Sequence, residues 1–141
     1  MHVQAIHHAA IICSDYERSK HFYVHCLGLQ VIAEHYRKER RSYKLDLQIS
    51  RTGGQIEIFS FVDPPRRPSY PEACGLRHLA FGVVNIDDAI LALKHDGIRV
   101  DAVRKDPYTG RRFAFFRDPD GLPLELYEQY AESQPTLNDS E

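Results

Sequence analysis

Two histidines and two glutamates recur in this 141-residue chain at nearly equal spacing, each inside an apolar, strand-like segment. His8 lies in Ile6-His7-His8-Ala9-Ala10-Ile11-Ile12 and Glu57 in Gln55-Ile56-Glu57-Ile58-Phe59; His78 lies in Leu76-Arg77-His78-Leu79-Ala80-Phe81 and Glu125 in Pro123-Leu124-Glu125-Leu126-Tyr127. Glu57 follows His8 by 49 residues, and Glu125 follows His78 by 47. A duplicated unit with one His and one Glu per copy can bring four metal ligands together about a pseudo-twofold axis. Neutral imidazole nitrogens and carboxylate oxygens suit a divalent cation, and two of each leave the bound site formally neutral. A six-coordinate ion would then keep two positions for water or a chelating substrate. Taken singly, a histidine on an apolar strand is more often a hydrogen-bonded core residue, and a glutamate between apolar neighbours more often faces solvent. The recurrence of all four at matching positions argues against coincidence.

The elements that must position them also repeat. The first unit opens with a strand over about residues 4–13 and an N-cap at Ser14-Asp15. Tyr16, Ser19, Phe22, Tyr23, Cys26 and Leu27 then recur at helical steps, up to a stop at Gly28. In the second unit a strand from His78 to Val84 leads to a cap at Asn85 or Asp87, an apolar stripe of Ala89, Ile90 and Leu93, and a stop at Gly97. A further strand start follows each glycine, at Gly28-Leu29-Gln30-Val31 and Gly97-Ile98-Arg99-Val100. Alternating segments Tyr43–Ile49, Gln55–Phe61, Arg112–Phe116 and Leu122–Glu128 read as strands, with turns at Gly53-Gly54 and Asp118-Pro119-Asp120-Gly121. The expected fold is therefore α+β: two tandem β-α-β-β-β modules forming a cupped mixed sheet. Strand alternation puts His8 on one face with Ala10 and Ile12, and His7 on the other with Ala9 and Ile11. The helix covers one face and leaves the other as the cup.

The expected organisation is one domain over 4–130, with module one at about 4–62, module two at about 76–130, and a connector at 63–75 holding Pro64, Pro65, Pro68 and Pro71. A polar tail is expected over 131–141. A net charge of −2 gives no general attraction to nucleic acid or anionic membrane, and no apolar run approaches the roughly 20 residues that span a bilayer. A cytoplasmic protein with a small-molecule substrate is expected. Cys13, Cys26 and Cys74 form neither a disulfide framework nor a C-x-x-C zinc motif, and are expected to be buried or half-buried free thiols. His21, His25, His35 and His95 are expected at the surface.

The pattern resembles the glyoxalase I branch of the vicinal-oxygen-chelate superfamily, which is built from paired β-α-β-β-β modules. The resemblance covers about residues 4–130. It is carried by His8 with Asp15 and Arg18-Ser19, by Phe22-Tyr23, Leu27-Gly28 and Ile56-Glu57-Ile58, by Arg77-His78-Leu79-Ala80-Phe81, and by Phe116-Arg117-Asp118-Pro119-Asp120-Gly121 leading into Leu124-Glu125-Leu126. It implies His8, Glu57, His78 and Glu125 as ligands of one divalent metal, with nickel, cobalt or zinc expected. It implies that a ligand glutamate moves a proton between adjacent carbons of a hemithioacetal through an enediolate. Glu125 is the assigned base and Glu57 the other candidate. A homodimer is expected, with ligands drawn from one chain or shared between two.

Glyoxalase I enzymes often carry an arginine four residues after the first ligand histidine, where it helps hold glutathione; here the residue is Ile12. Compensating cations are sought among Arg37, Arg66, Arg67, Arg77, Arg111 and Arg112, with Arg66 and Arg67 favoured by their flanking prolines. Tyr108 and Arg111, around Thr109-Gly110, are candidates for a lid. The alternatives are a methylmalonyl-CoA epimerase, whose position equivalent to Glu57 is commonly glutamine; an extradiol dioxygenase, which would leave Glu57 unexplained; and a binding module of this fold without catalysis.

Overall fold

The computed structural model describes residues 1–130, so the tail expected over 131–141 lies outside the described residues. In chain order the elements are β1 (His8–Cys13), α1 (Tyr16–Lys20), β2 (Gln30–Arg37), β3 (Ser42–Gln48), β4 (Gln55–Ser60), β5 (Leu79–Val83), α2 (Ile86–His95), β6 (Arg104–Lys105), β7 (Arg112–Arg117) and β8 (Pro123–Glu128). They form two four-stranded sheets, ordered β1-β4-β3-β2 and β5-β8-β7-β6. In each, the first strand pairs parallel with the fourth and the remaining pairings are antiparallel. The paired β-α-β-β-β architecture is thus present as two mixed sheets.

Alternation decides the faces. Ile11 and Cys13 on β1, Leu45 and Leu47 on β3, and Ile56 and Ile58 on β4 are buried, whereas His8, Ala10 and Ile12 are exposed. One apolar cluster draws on both halves, joining these residues to Phe22, Tyr23, Ile86, Ile90, Leu93, Ala114, Phe116, Leu124 and Leu126. Asp15 caps α1 by accepting from the Arg18 amide at 3.1 Å, and Asn85 caps α2 by accepting from Asp88 at 3.0 Å. Gly28 and Gly97 end the two helical segments at φ of +72° and +77°, where a Cβ would be strained.

The structure corrects four details. β1 starts at His8 rather than near residue 4, because its partner strand among the described residues begins opposite it, at Gln55. The first helix is one α-turn followed by a π-helical turn, His21–Cys26, closed by the Leu27 amide donating to the Phe22 carbonyl at 3.0 Å. Widening the turn lets the adjacent Phe22 and Tyr23 both face the core. In the second half, the strand expected after Gly97 is reduced to a single bridge between Val100 and Phe116 and the two-residue β6. Cys13 is buried and Cys26 half-buried, with burial pushing the Cys13 thiol up to about 11, but Cys74 is exposed on the connector. His21, His25, His35 and His95 are exposed, as expected.

The two halves are clamped together by the Asp118-Pro119-Asp120-Gly121 turn. Asp118 accepts from the Leu122 amide at 2.9 Å, the Asp120 amide at 2.9 Å and the Tyr23 hydroxyl at 2.8 Å. The Ser14 amide donates to Asp120 at 3.0 Å, and Arg18 donates to the Pro119 carbonyl at 3.0 Å. Burial lifts the Asp118 carboxyl above its usual value, opposed by those hydrogen bonds, and lifts the Tyr23 hydroxyl as well. The turn that leads into Glu125 is therefore anchored to the helix that follows His8.

Candidate metal centre

Each sheet presents one His–Glu pair in the same register. Ala10 is the cross-strand partner of Glu57, and Ala80 is the partner of Glu125, so each histidine stands two residues before the position opposite its glutamate. His8 Nε2 lies 2.8 Å from Glu57 Oε2, and His78 Nε2 lies 2.8 Å from Glu125 Oε2. Both pairs project from the face opposite the helix. Glu125 is buried, between Leu124 and Leu126, and Glu57 is half-buried. His7 Nδ1 is 2.9 Å from His8 Nδ1 and can orient that ring. The His78 ring instead packs at right angles to Phe115, with centroids 5.1 Å apart at 89°, and its Nδ1 is buried without a partner among the described residues.

The surroundings of the two glutamates differ. Lys44 Nζ bridges Glu57 Oε1 at 2.8 Å and Asp46 Oδ1 at 2.6 Å, contacts that raise the lysine's pKa, Asp46 first. Cross-strand pairing puts Asp46 opposite Glu57 and Lys44 opposite Phe59; in the second half Phe115 stands opposite Glu125 and Phe113 opposite Tyr127. A charged pair on one side is replaced by two phenylalanines on the other. Lys44, Asp46 and Phe115 are not among the residues expected from sequence. Lys44 and Asp46 do alternate with the buried Leu45 and Leu47, which marks their face, but only the β3–β4 register puts them beside Glu57.

The remaining sequence candidates separate. Arg67 lines a cavity of about 760 Å³ next to His78 and Phe115. Its guanidinium donates to the carbonyls of Leu76 at 2.8 Å and Arg77 at 3.1 Å, which ties the connector to the start of β5. Arg66 is exposed and is not part of that lining. Tyr108, 94% exposed, and Arg111 sit in the hairpin between β6 and β7, away from the cavity lining, with Arg111 over the Tyr130 ring at 5.2 Å.

The donor set fits a divalent ion in two half-sites. Two donors bound side by side to one ion at about 2.1 Å each stand about 3 Å apart, close to the separation within each His–Glu pair. Among the described residues, however, no group of three or more His, Cys, Asp or Glu side chains is placed to hold a metal ion. Each half-site offers one nitrogen and one carboxylate, and the described chain does not bring the two halves together.

A profile of the Glyoxalase/Bleomycin resistance protein/Dioxygenase superfamily matches residues 5–126, and the chain belongs to this family. It is 61% identical over 129 residues to the uncharacterized protein YwkD of Bacillus subtilis (strain 168), covering 92% of this chain and 100% of that protein. A crystal structure of a glyoxalase family protein from Enterococcus faecalis superposes with a TM-score of 0.82 at 49% identity, covering 89% of this chain and 98% of that one. A more distant relative, the 2-epi-5-epi-valiolone epimerase of Actinomyces sp, is 25% identical, covering 86% of this chain and 78% of that enzyme. Among the described residues no helix is long and apolar enough to cross a membrane.

Proposed function

We propose that the protein is a metal-dependent lyase or isomerase of the glyoxalase I type, working as a homodimer in which His8 and Glu57 of one copy join His78 and Glu125 of another. The observation that carries this reading is the pair of equivalent His–Glu half-sites, neither of which is completed by a third ligand placed to hold a metal ion among the described residues. β1 and β5 are the end strands of their sheets, and their exposed Ala10, Ile12 and Ala80 lie on the same faces as the ligands. Such edges invite pairing, and a twofold interface that sets β1 of one copy near β5 of the other would complete two sites at once. The free thiols accord with a cytoplasmic setting.

A bound divalent ion, with nickel, cobalt or zinc as the expected metal, would polarise the substrate's adjacent oxygens. The chain's own residues then divide the remaining work. Glu57 is held by Lys44 on one oxygen and by His8 on the other. Glu125 makes one such contact among the described residues, to His78, and is the more enclosed of the two. Glu125 is accordingly the base that takes a proton from the carbon beside the polarised carbonyl and returns it to the neighbouring carbon. Phe115, the cross-strand partner of Glu125 on the same face of the sheet, helps keep water from that carboxylate. An epimerase acting by the same proton transfer is the second reading, favoured by the valiolone-type epimerase among the relatives.

The test is elemental analysis of chelated protein reloaded with nickel, cobalt, zinc or manganese, coupled to an absorbance assay with methylglyoxal and glutathione. One metal per site and restored turnover are the expected results. His78→Ala should lose the metal while staying folded, because a site set on a complete core contributes little to folding. Metal without turnover on hemithioacetals would transfer the assignment to an epimerase and its acyl-CoA or cyclic ketone substrates. Failure of the wild-type protein to take up metal would overturn the proposal in favour of a binding module.

A further inference from the structure

The cavity beside His78 carries more positive charge than the connector and β7 use. It is lined by Arg67, Arg77, Arg104 and Arg117 against two carboxylates. Two of these guanidiniums are committed: Arg67 to backbone carbonyls, as described, and Arg117 to Asp101 at 3.2 Å. Arg104 is held differently. Its guanidinium carbon sits over the Phe113 ring at 5.1 Å and the Phe115 ring at 5.7 Å, and among the described residues it has no carboxylate partner. In the first half, Arg37 lies over Phe59 and Phe61 in a similar way, but it donates to the Ser42 hydroxyl at 2.7 Å and is thereby engaged.

We propose that the cavity beside His78 receives the anionic arm of the substrate, a carboxylate or phosphate, with Arg104 as its anchor. The proposal deepens the reading above and rests on it in one respect, that His78 and Glu125 mark the reacting end. Phe115 connects the two ends: it is the cross-strand partner of Glu125, its ring packs at right angles to that of His78, and its face supports Arg104. A guanidinium stacked on an aromatic face keeps its N–H edge free, and that planar fork matches a carboxylate or phosphate in bidentate fashion. The volume of about 760 Å³ is within the range of small-molecule pockets. The ligand class is a small molecule with adjacent oxygens at one end and an anion at the other, reaching from Glu125 across Phe115 to Arg104.

Calorimetry on the metal-loaded full chain tests this with three hydroxamates that chelate alike and differ in their arm: acetohydroxamate, succinic monohydroxamate and phosphoglycolohydroxamate. At least one charged arm should bind about 10- to 100-fold more tightly than acetohydroxamate, the worth of a charge-assisted contact. Which one does so separates a carboxylate from a phosphate ligand. Arg104→Gln should erase that advantage and leave acetohydroxamate unchanged, and Arg104→Lys should restore part of it. An advantage that persists in Arg104→Gln, or that is absent from the wild type, overturns the proposal. Titration of metal-free protein with inorganic phosphate separates it from the metal reading. Phosphate binding lost in Arg104→Gln, alongside failure of every hydroxamate, would leave the anion pocket standing and remove the metal site.

Discussion

Glu125→Gln is expected to keep metal binding and to lose about 10²- to 10⁴-fold in turnover on whichever substrate the reloaded wild type converts, the usual worth of a positioned general base. The amide retains an oxygen for the ion, so ligation weakens less than proton transfer does. Glu57→Gln should affect the two quantities in the opposite order. Lys44 and His8 together fix both oxygens of Glu57, so its main duty is to remain a placed anion, and its loss should be read first in metal affinity. Metal stoichiometry and turnover measured on both variants check this. Unchanged turnover in Glu125→Gln would transfer the base role to Glu57.

Asp118→Ala is expected to destabilise the fold by about 3 kcal/mol, because it strands the buried donors of Leu122 and Tyr23 and the half-buried amide of Asp120 at once. Chemical denaturation at neutral pH measures it. Asp118→Asn should cost less, since the Asn oxygen can keep the two amides while the Tyr23 hydroxyl turns to accept from its NH₂ group. The pH dependence has a definite sign. Burial raises the folded-state pKa of Asp118, so the native state binds this proton more readily than the unfolded chain does. Its contribution to stability is therefore greatest below the ordinary carboxylate value and declines as pH rises through the folded one. Asp118→Asn should flatten that decline. A wild-type profile that rises with pH through the same window, with the Asn variant subtracted, would contradict the burial argument.

Strand alternation made the working faces legible: His8, Ala10 and Ile12 stand opposite Ile11 and Cys13 because successive side chains must point to opposite sides of the pleat. The helix stops at Gly28 and Gly97, and the repeat from His–Glu to His–Glu, were readable for the same local reason. What pairing decides was not. The charged bridge from Lys44 to Glu57, and the phenylalanines that replace it beside Glu125, depend on the β3–β4 and β7–β8 registers, which no local pattern specifies. The widened turn at His21–Cys26 serves the burial of Phe22 and Tyr23 against the partner half, a tertiary demand that overrides helical spacing. The Asp118-Pro119-Asp120-Gly121 turn was visible as a turn; its second role, clamping Ser14, Arg18 and Tyr23, became visible only once the halves were packed. Arg104 carried no local signal, since an arginine two residues before a turn is ordinary until Phe113 and Phe115 appear beneath it.

The most direct test of the shared site is subunit mixing, read as bound metal. Glu57→Ala and Glu125→Ala proteins, each purified and unable to hold the ion, are unfolded together, refolded at equal concentration and reloaded. If each site takes one half from each copy of a twofold dimer, half of the dimers are mixed and each of these has one intact site, so metal returns to about a quarter of the wild-type level. If both halves of every site come from one chain, mixing restores nothing, and the account of a site completed by a second copy is wrong.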